Sequence, residues 1–178
     1  MRSRIILFTF VMFAVLSSAF SQTSGSVAIN ISLHPIQILK INPTQSEVLI
    51  SYENEEDYQQ GVVSVQENHL TVFSTSGFEV SVFSSALPEI ETQGREVQLT
   101  PIQIGVQAPE SASGAINVGN IQLQHFKQNI ISSNRQDFGI SFDIEYQGLG
   151  ENIYLEHQSK NMQPSVLSTK VIYSIEVK

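Results

Sequence analysis

The sequence predicts an all-β protein, folded as a single antiparallel β-sandwich with Greek-key connections. Apolar residues recur with a period of two in segment after segment beyond residue 24, which is typical of strands with one buried face. Turn-forming residues separate these segments, and no stretch keeps an apolar stripe with the helical period. We therefore expect about nine or ten short strands and at most one short helical turn, near residues 122–131.

The first 21 residues have the parts of a secretory signal peptide. Arg2 and Arg4 precede an apolar run over residues 5–16, and Ala19 and Ser21 are small residues suited to a cleavage site. A membrane anchor is the alternative, but the run is shorter than the roughly 20 residues that a spanning helix needs. We predict cleavage after Ser21.

The N-terminal strands follow directly. The first alternates over residues 27–33, and a second segment over residues 36–41 ends at the turn-forming pair Asn42 and Pro43. A third strand is predicted over residues 48–52.

The clearest hairpin joins residues 69–73 to residues 78–83. Apolar residues alternate in both arms, and Gly77 in the connecting loop can adopt the positive φ that such a turn usually needs.

Further strands are predicted toward the C-terminus, over residues 97–106, 116–118, 121–123, 138–146 and 166–177. Pro101 removes a ladder donor, so the first of these is an edge strand or contains a bulge. The segment 138–146 carries the longest alternating row and is expected to lie centrally in its sheet.

Composition excludes several classes of protein. The 178 residues include 9 Lys and Arg against 17 Asp and Glu, with no Cys or Trp and a net charge of -8. A nucleic-acid partner is not predicted, because neutralising phosphates takes clustered basic residues. Without cysteine there is no disulfide and no thiolate site.

We predict one domain over residues 22–178, exported to the periplasm or cell surface of a bacterium, with no membrane span after signal cleavage.

No residue pattern predicts catalysis. The histidines are far apart in the sequence and are interpreted as surface or rim residues: His34, His69, His125 and His157. A Ser-His-Asp arrangement stays open, but no G-x-S-x-G turn marks a nucleophile. Asp143 and Glu145 share one strand face, as a glycosidase pair would, yet their position opposite the apolar row favours two solvated carboxylates. We predict no enzyme, no metal and no cofactor.

Two features are compatible with a ligand. The acidic run over residues 53–57 is interpreted as a solvated loop, with calcium binding as the alternative, although it lacks the ligand spacing of a calcium loop. Tyrosine combines a flat apolar face with a polar tip, which suits carbohydrate. The candidate tyrosines are Tyr52, Tyr58, Tyr146 and Tyr154.

Three passages resemble a class of bacterial surface β-sandwiches: the opening strand Ser26–Leu33, the hairpin His69–Val82 and the closing strand Ser168–Val177. In this layout the chain is similar to fimbrial subunits, spore-coat-U-like proteins and WxL-like wall domains. The resemblance implies an immunoglobulin-like or pilin-like Greek key. The chain lacks the tryptophan of the WxL motif and the cysteine pair frequent in chaperone-assembled pilins.

We therefore predict a secreted, non-enzymatic module of the cell surface, fimbria-like or adhesive, whose strand edges contact other subunits. The predicted edge residues are Val27, Ile29, Ile31, Leu33, Val171, Tyr173, Ile175 and Val177. The first strand either is donated to a neighbouring copy or pairs with residues 171–177 of its own sandwich, which we favour. A carbohydrate- or peptidoglycan-binding module of the envelope is the alternative function.

Overall fold

The computed structural model describes residues 24–85, 89–92, 95–98, 102–112, 115–155 and 166–178. Over these residues the chain forms eleven β-strands, one short α-helix and two 3₁₀ turns. The strands are β1 (Gln37–Ile41), β2 (Val62–Ser74), β3 (Phe78–Ser84), β4 (Glu89–Thr92), β5 (Arg95–Gln98), β6 (Gln103–Gln107), β7 (Ile116–Val118), β8 (Ile121–Gln122), β9 (Gln128–Ser133), β10 (Asp137–Gly148) and β11 (Val171–Val177). The helix α1 spans Glu55–Gln60, and the 3₁₀ turns span Pro43–Gln45 and Glu110–Ala112.

Two antiparallel sheets pack against each other. One has the strand order β1-β2-β10-β6-β8, and the other has the order β11-β3-β9-β7. Strands β4 and β5 pair separately as a two-stranded ladder. The predicted all-β sandwich is confirmed, as is the central position of the strand over residues 138–146, because β10 lies between β2 and β6.

The core lies between the two sheets and is formed by alternate residues of their strands. In β3 every second residue is buried, from Phe78 to Ser84. The largest fully buried apolar side chains are Phe78, Phe142, Leu70, Ile104, Ile130, Ile131 and Ile144. Burying one such side chain contributes about 1.5–3 kcal/mol, so the period-two pattern of the sequence decides which face of each sheet turns inward.

Residues 24–33 form a unit separate from the body over residues 34–178. They contain no strand, so the strand predicted over residues 27–33 is wrong. The physical reason is that an alternating sequence becomes a strand only when a neighbour completes its backbone hydrogen bonds. Its apolar side chains are largely exposed: Val27 at 87%, Ile29 at 82%, Ile31 at 79% and Leu33 at 88%.

The acidic run predicted as a loop begins a helix instead. Asn54 and Asp57 form a reciprocal capping box, in which the Asp57 backbone N–H donates to the Asn54 side chain at 3.1 Å and the Asn54 backbone N–H donates to Asp57 at 3.1 Å. Acidic side chains in the first turn also suit the positive end of the helix dipole. The helical turn allowed near residues 122–131 is absent from the described structure, where β8 ends at Gln122, β9 begins at Gln128 and an irregular loop joins them.

The predicted hairpin is wrong. Residues 69–73 lie in β2, which begins at Val62 and pairs with β1 and β10, whereas β3 pairs with β11 and β9 of the other sheet.

Other predicted strands also differ from the observed ones. Val48 and Ile50 pack against the core, but residues 48–52 join no ladder. The segment 97–106 is divided between β5 and β6, and Pro101 lies outside the described residues. The last strand begins at Val171 and not at residue 166.

Candidate strand-edge interface

Strand β11 lies at one end of the four-stranded sheet. Its residues pair with β3 in unbroken register, from Val171 opposite Ser84 to Val177 opposite Phe78. Among the described strands, none pairs with its other side. The four predicted edge residues of β11 therefore lie on a sheet edge.

The hydrogen bonds at the two ends of β11 establish which backbone groups face outward. The Ser85 N–H donates to the Lys170 carbonyl at 3.0 Å, and the Lys178 N–H donates to the Gly77 carbonyl at 3.1 Å. In an antiparallel ladder, alternate residues direct both backbone groups to the same neighbour. Even-numbered residues therefore face β3, and the odd-numbered ones direct their N–H and C=O groups to the open side: Val171, Tyr173, Ile175 and Val177.

The same four residues also turn their side chains inward for most of the strand. Val171, Tyr173 and Ile175 are partly buried and pack against the core. Val177, at the end of the strand, is 58% exposed. The edge therefore combines an apolar row that continues the core with backbone donors and acceptors that no other described strand pairs with.

A polar chain crosses the core beneath this edge. The Tyr173 hydroxyl lies 2.7 Å from the Tyr146 hydroxyl, which lies 3.0 Å from His69 Nε2. On the other side of the ring, His69 Nδ1 lies 3.0 Å from Gln45 Oε1. Three elements of the five-stranded side, namely a 3₁₀ turn, β2 and β10, are thus connected to β11 of the other sheet.

The donors of this chain can be assigned from its ends. Gln45 uses its amide nitrogen to donate to the Glu67 carbonyl at 3.0 Å, so its oxygen is free to accept from His69 Nδ1–H. The neutral ring then accepts at Nε2 from the Tyr146 hydroxyl, whose oxygen accepts in turn from the Tyr173 hydroxyl. Each of the hydrogens that link these four side chains therefore has an acceptor.

Burial keeps these groups uncharged. Desolvation lowers the pKa of His69 below its ordinary value. It raises the pKa of Tyr146 to about 12, against the opposing effect of the hydrogen bond from Tyr173. The pKa of Tyr173 is raised further, by desolvation first and then by the neighbouring Tyr146.

The prediction that His69 lies at the surface or rim is wrong, because only 3% of the residue is exposed. An irregularity in the ladder explains it: Phe142 pairs with Leu70 and Ile144 with Gln66, so three residues of β2 lie opposite one residue of β10. Asn68 takes a positive φ of 51° there, and its N–H donates to Asp143 at 2.6 Å. The bulge adds two residues to β2, so the alternation of apolar residues keeps the same phase on both sides of it. Asn68, a residue type that tolerates positive φ, is the one signal of the bulge in the sequence.

The two carboxylates considered for glycosidase chemistry have separate partners. Asp143 accepts from Asn68 at the bulge, and Glu145 accepts from the Gln107 side chain at 2.8 Å. Glu145 is partly exposed on the outer face of its sheet. The structure thus places both carboxylates where the alternation predicted them.

The acidic run and three of the four tyrosines meet at one end of the sandwich. The Tyr52 ring centroid lies 5.2 Å from that of Tyr58 and 5.0 Å from that of Tyr154, and the Tyr52 hydroxyl donates to the Leu149 carbonyl at 2.8 Å. Tyr146 lies apart from them in the core. Within the described ranges, no three His, Asp or Glu side chains gather in a way that could hold a metal ion.

The tyrosine cluster fixes α1 against the loop over residues 149–155. A Cβ atom added to Gly150 would lie 2.3 Å from the Gln59 carbonyl oxygen, so the two backbones are in direct contact. A shallow depression beside this contact is lined by Gln59, Gln60, Leu149, Gly150, Glu151 and Ile153.

Among the residues that the structure describes, no helix is long and apolar enough to span a membrane. The predicted signal peptide lies outside the described residues. The sequence matches no protein-family model, and the search of curated proteins finds no significant match.

Proposed function

We propose that the protein is a secreted, non-enzymatic structural module of a bacterial cell surface, fimbria-like in its assembly, that joins copies through strand edges. Residues 27–33 of one copy add a strand to the open edge of β11 in the next. The observation that carries the proposal is the exposure of four alternating apolar side chains, each at least 79% exposed. Contiguous exposed apolar surface on a soluble protein usually marks a contact site.

The energies involved are of the right size. Full burial of four Val, Ile or Leu side chains provides on the order of 6–12 kcal/mol. The loss of translational and rotational freedom on association costs about 4–15 kcal/mol. The two terms are comparable, so the contact requires the whole row together with the backbone hydrogen bonds of an open edge. A charge placed in the row is expected to abolish association.

Strand β11 is the edge that best fits this segment. It has seven residues, as many as the segment over residues 27–33, whereas β1 has five, β7 has three and β8 has two. Both the segment and β11 carry four apolar residues on one face. A strand added in register beside β11 would therefore extend its inward row and pair with its free backbone groups.

The test compares two double variants of the mature chain. Ile29→Asp with Ile31→Asp places two charges in the apolar row, and Ala28→Asp with Asn30→Asp places the same charges on the opposite face. Light scattering after size exclusion, over a range of concentrations, should show association of the wild type and of the control but not of the row variant. Circular dichroism melts should show equal stability of the sandwich in all three. A wild type that stays monomeric at every concentration, or a row variant that associates equally well, would refute the proposal.

A glycan-binding module is the second candidate, and the clustering of Tyr52, Tyr58 and Tyr154 favours it. The neighbouring depression offers amide and carboxylate groups that can bond to sugar hydroxyls.

Pull-down with peptidoglycan and binding to a glycan panel, with and without calcium, tests this candidate. Retention that Tyr154→Ala reduces and Phe138→Ala leaves unchanged would support it, since Phe138 is an exposed aromatic residue on another part of the sandwich. Absence of retention in every condition would reject it.

A further inference from the structure

Strand β11 is attached to the five-stranded sheet through side chains. Its backbone ladder joins it to β3 of its own sheet. Across the core it contributes apolar packing by Val171 and Ile175 and one polar link, the Tyr173 hydroxyl. The state of that link therefore bears directly on whether this edge strand stays in place.

The polar chain from Tyr173 to Gln45 is matched only while His69 is neutral. Each oxygen or nitrogen then accepts the hydrogen of the preceding group, in one direction through the core. A protonated imidazole has two donors and no acceptor. Its Nε2–H would need the Tyr146 oxygen, and the Tyr146 hydrogen would have to turn toward Tyr173, whose own hydrogen would lose its acceptor in the core.

No neighbouring group compensates a positive charge on this ring within the described structure. The titratable groups that face it are Tyr146 from β10 and Tyr173 from β11, and the 3₁₀ turn contributes the uncharged Gln45. Charged residues on the adjacent strands are engaged or exposed: Lys40 and Glu67 are exposed, and Asp143 accepts from the Asn68 N–H. Protonation thus leaves a buried charge and an unmatched hydroxyl hydrogen, both of which are costly.

We propose that Gln45, His69, Tyr146 and Tyr173 form a proton-sensitive latch that holds β11 against the opposite sheet at neutral pH and releases it in mild acid. The latch is a property of the single chain. Its biological role, the control of the edge that receives another copy, rests on the proposed function.

The direction of the pH effect follows from linkage. Burial lowers the pKa of His69 in the folded chain, whereas in the opened state the ring regains an ordinary value of about 6.5. Opening is then independent of pH above about 6.5 and becomes more favourable as the pH falls from there toward the lowered value of the folded chain. In that window the opening equilibrium rises about tenfold for each pH unit.

Hydrogen exchange of the β11 amides at pH 7.5 and pH 5.0, corrected for intrinsic rates, tests the latch in dilute monomeric protein. In the wild type we expect β11 to be less protected than β2 and β10 at both pH values, and its protection to fall at the lower pH. His69→Gln should remove this difference. His125→Gln, which changes an exposed histidine, should preserve it. Equal protection of β11 at both pH values, or protection of β11 as high as that of β2 and β10, would overturn the proposal.

A second measurement does not depend on the folding of a variant. In an NMR titration of the wild type, the His69 ring and the β11 amides should change with the same midpoint, and different midpoints would refute the latch. Because both experiments use monomer, they can fail while association through residues 27–33 succeeds, or succeed while association fails.

Discussion

The hydroxyl oxygens of Tyr173 and Tyr146 lie 2.7 Å apart across the core, and this bond joins the edge strand of one sheet to the central strand of the other. Core contacts between facing sheets are usually apolar and independent of solution conditions. Here one such contact is a hydrogen bond, and the hydroxyl that donates in it depends on whether His69 is neutral or protonated.

Removal of the two hydroxyls should have unequal effects on the free energy of unfolding. Tyr173→Phe removes the terminal donor and leaves the Tyr146 bond to His69 intact, so we expect a loss of about 0.5–1.5 kcal/mol. Tyr146→Phe leaves both the Tyr173 donor and the His69 acceptor unmatched in the core, which should cost about 2–4 kcal/mol. Urea unfolding measures both. Equal losses of stability in the two variants would contradict the hydrogen-bond directions assigned to Tyr173, Tyr146 and His69.

Global stability should also depend on pH through His69. Burial lowers the pKa of His69 in the fold. The contribution of the neutral ring to the free energy of unfolding is therefore fully present above about pH 6.5, and it is lost as the pH falls toward that lowered pKa. Urea titrations between pH 8 and pH 5 should show this decline in the wild type and in His125→Gln. A flat profile in His69→Gln would assign the decline to this ring, and an unchanged decline would assign it elsewhere.

The contact between α1 and the loop over residues 149–155 should tolerate no added side chain. Gly150→Ala would place a Cβ atom 2.3 Å from the Gln59 carbonyl oxygen, so we expect a loss of about 1–3 kcal/mol. Gly119→Ala is the matched control, because its Cβ would meet no atom within 4 Å. Thermal unfolding of the two variants should differ clearly. Equal midpoints would show that the backbones are not in close contact.

A synthetic peptide covering residues 24–34 should bind a chain that begins at residue 34. This follows from the proposed function, since the peptide supplies the apolar row and the shortened chain keeps the open edge of β11. Isothermal titration measures the affinity. A peptide with Ile29→Asp and Ile31→Asp is the control and should not bind. Binding of both peptides, or of neither, would contradict edge pairing.

The fold class was predictable because the alternation of apolar and polar residues is a local pattern that many strands repeat. Alternation over residues 78–83 and 140–146 was sufficient to place β3 and β10 with the correct inward faces, since burial decides between the two faces of a strand. Phe138, predicted in the same inward row, is 62% exposed, because a register shift at Gly139 breaks the alternation before Ile140. The same rule failed at residues 27–33, because alternation describes a face and does not supply the neighbour that makes a strand.

The candidate site was predictable only in part. The odd-numbered residues of β11 were identified from their pattern, but the His69 chain depends on the bulge at Asn68 and on Tyr173 from a distant strand. Helix α1 was missed because an acidic run resembles a solvated loop, although Asn54 and Asp57 carry the spacing of a capping box.

The bulge in β2 adds two residues relative to β10 and therefore leaves the inward phase of the strand unchanged on both sides. An excision of two residues would restore regular pairing between Phe142 and Ile144 with the same apolar rows, whereas an excision of one would invert half the strand. The bulge and its histidine can therefore be present or absent without a change in the inward face of β2. A chain shortened in this way would keep its sandwich and lose the proposed sensitivity of β11 to acid.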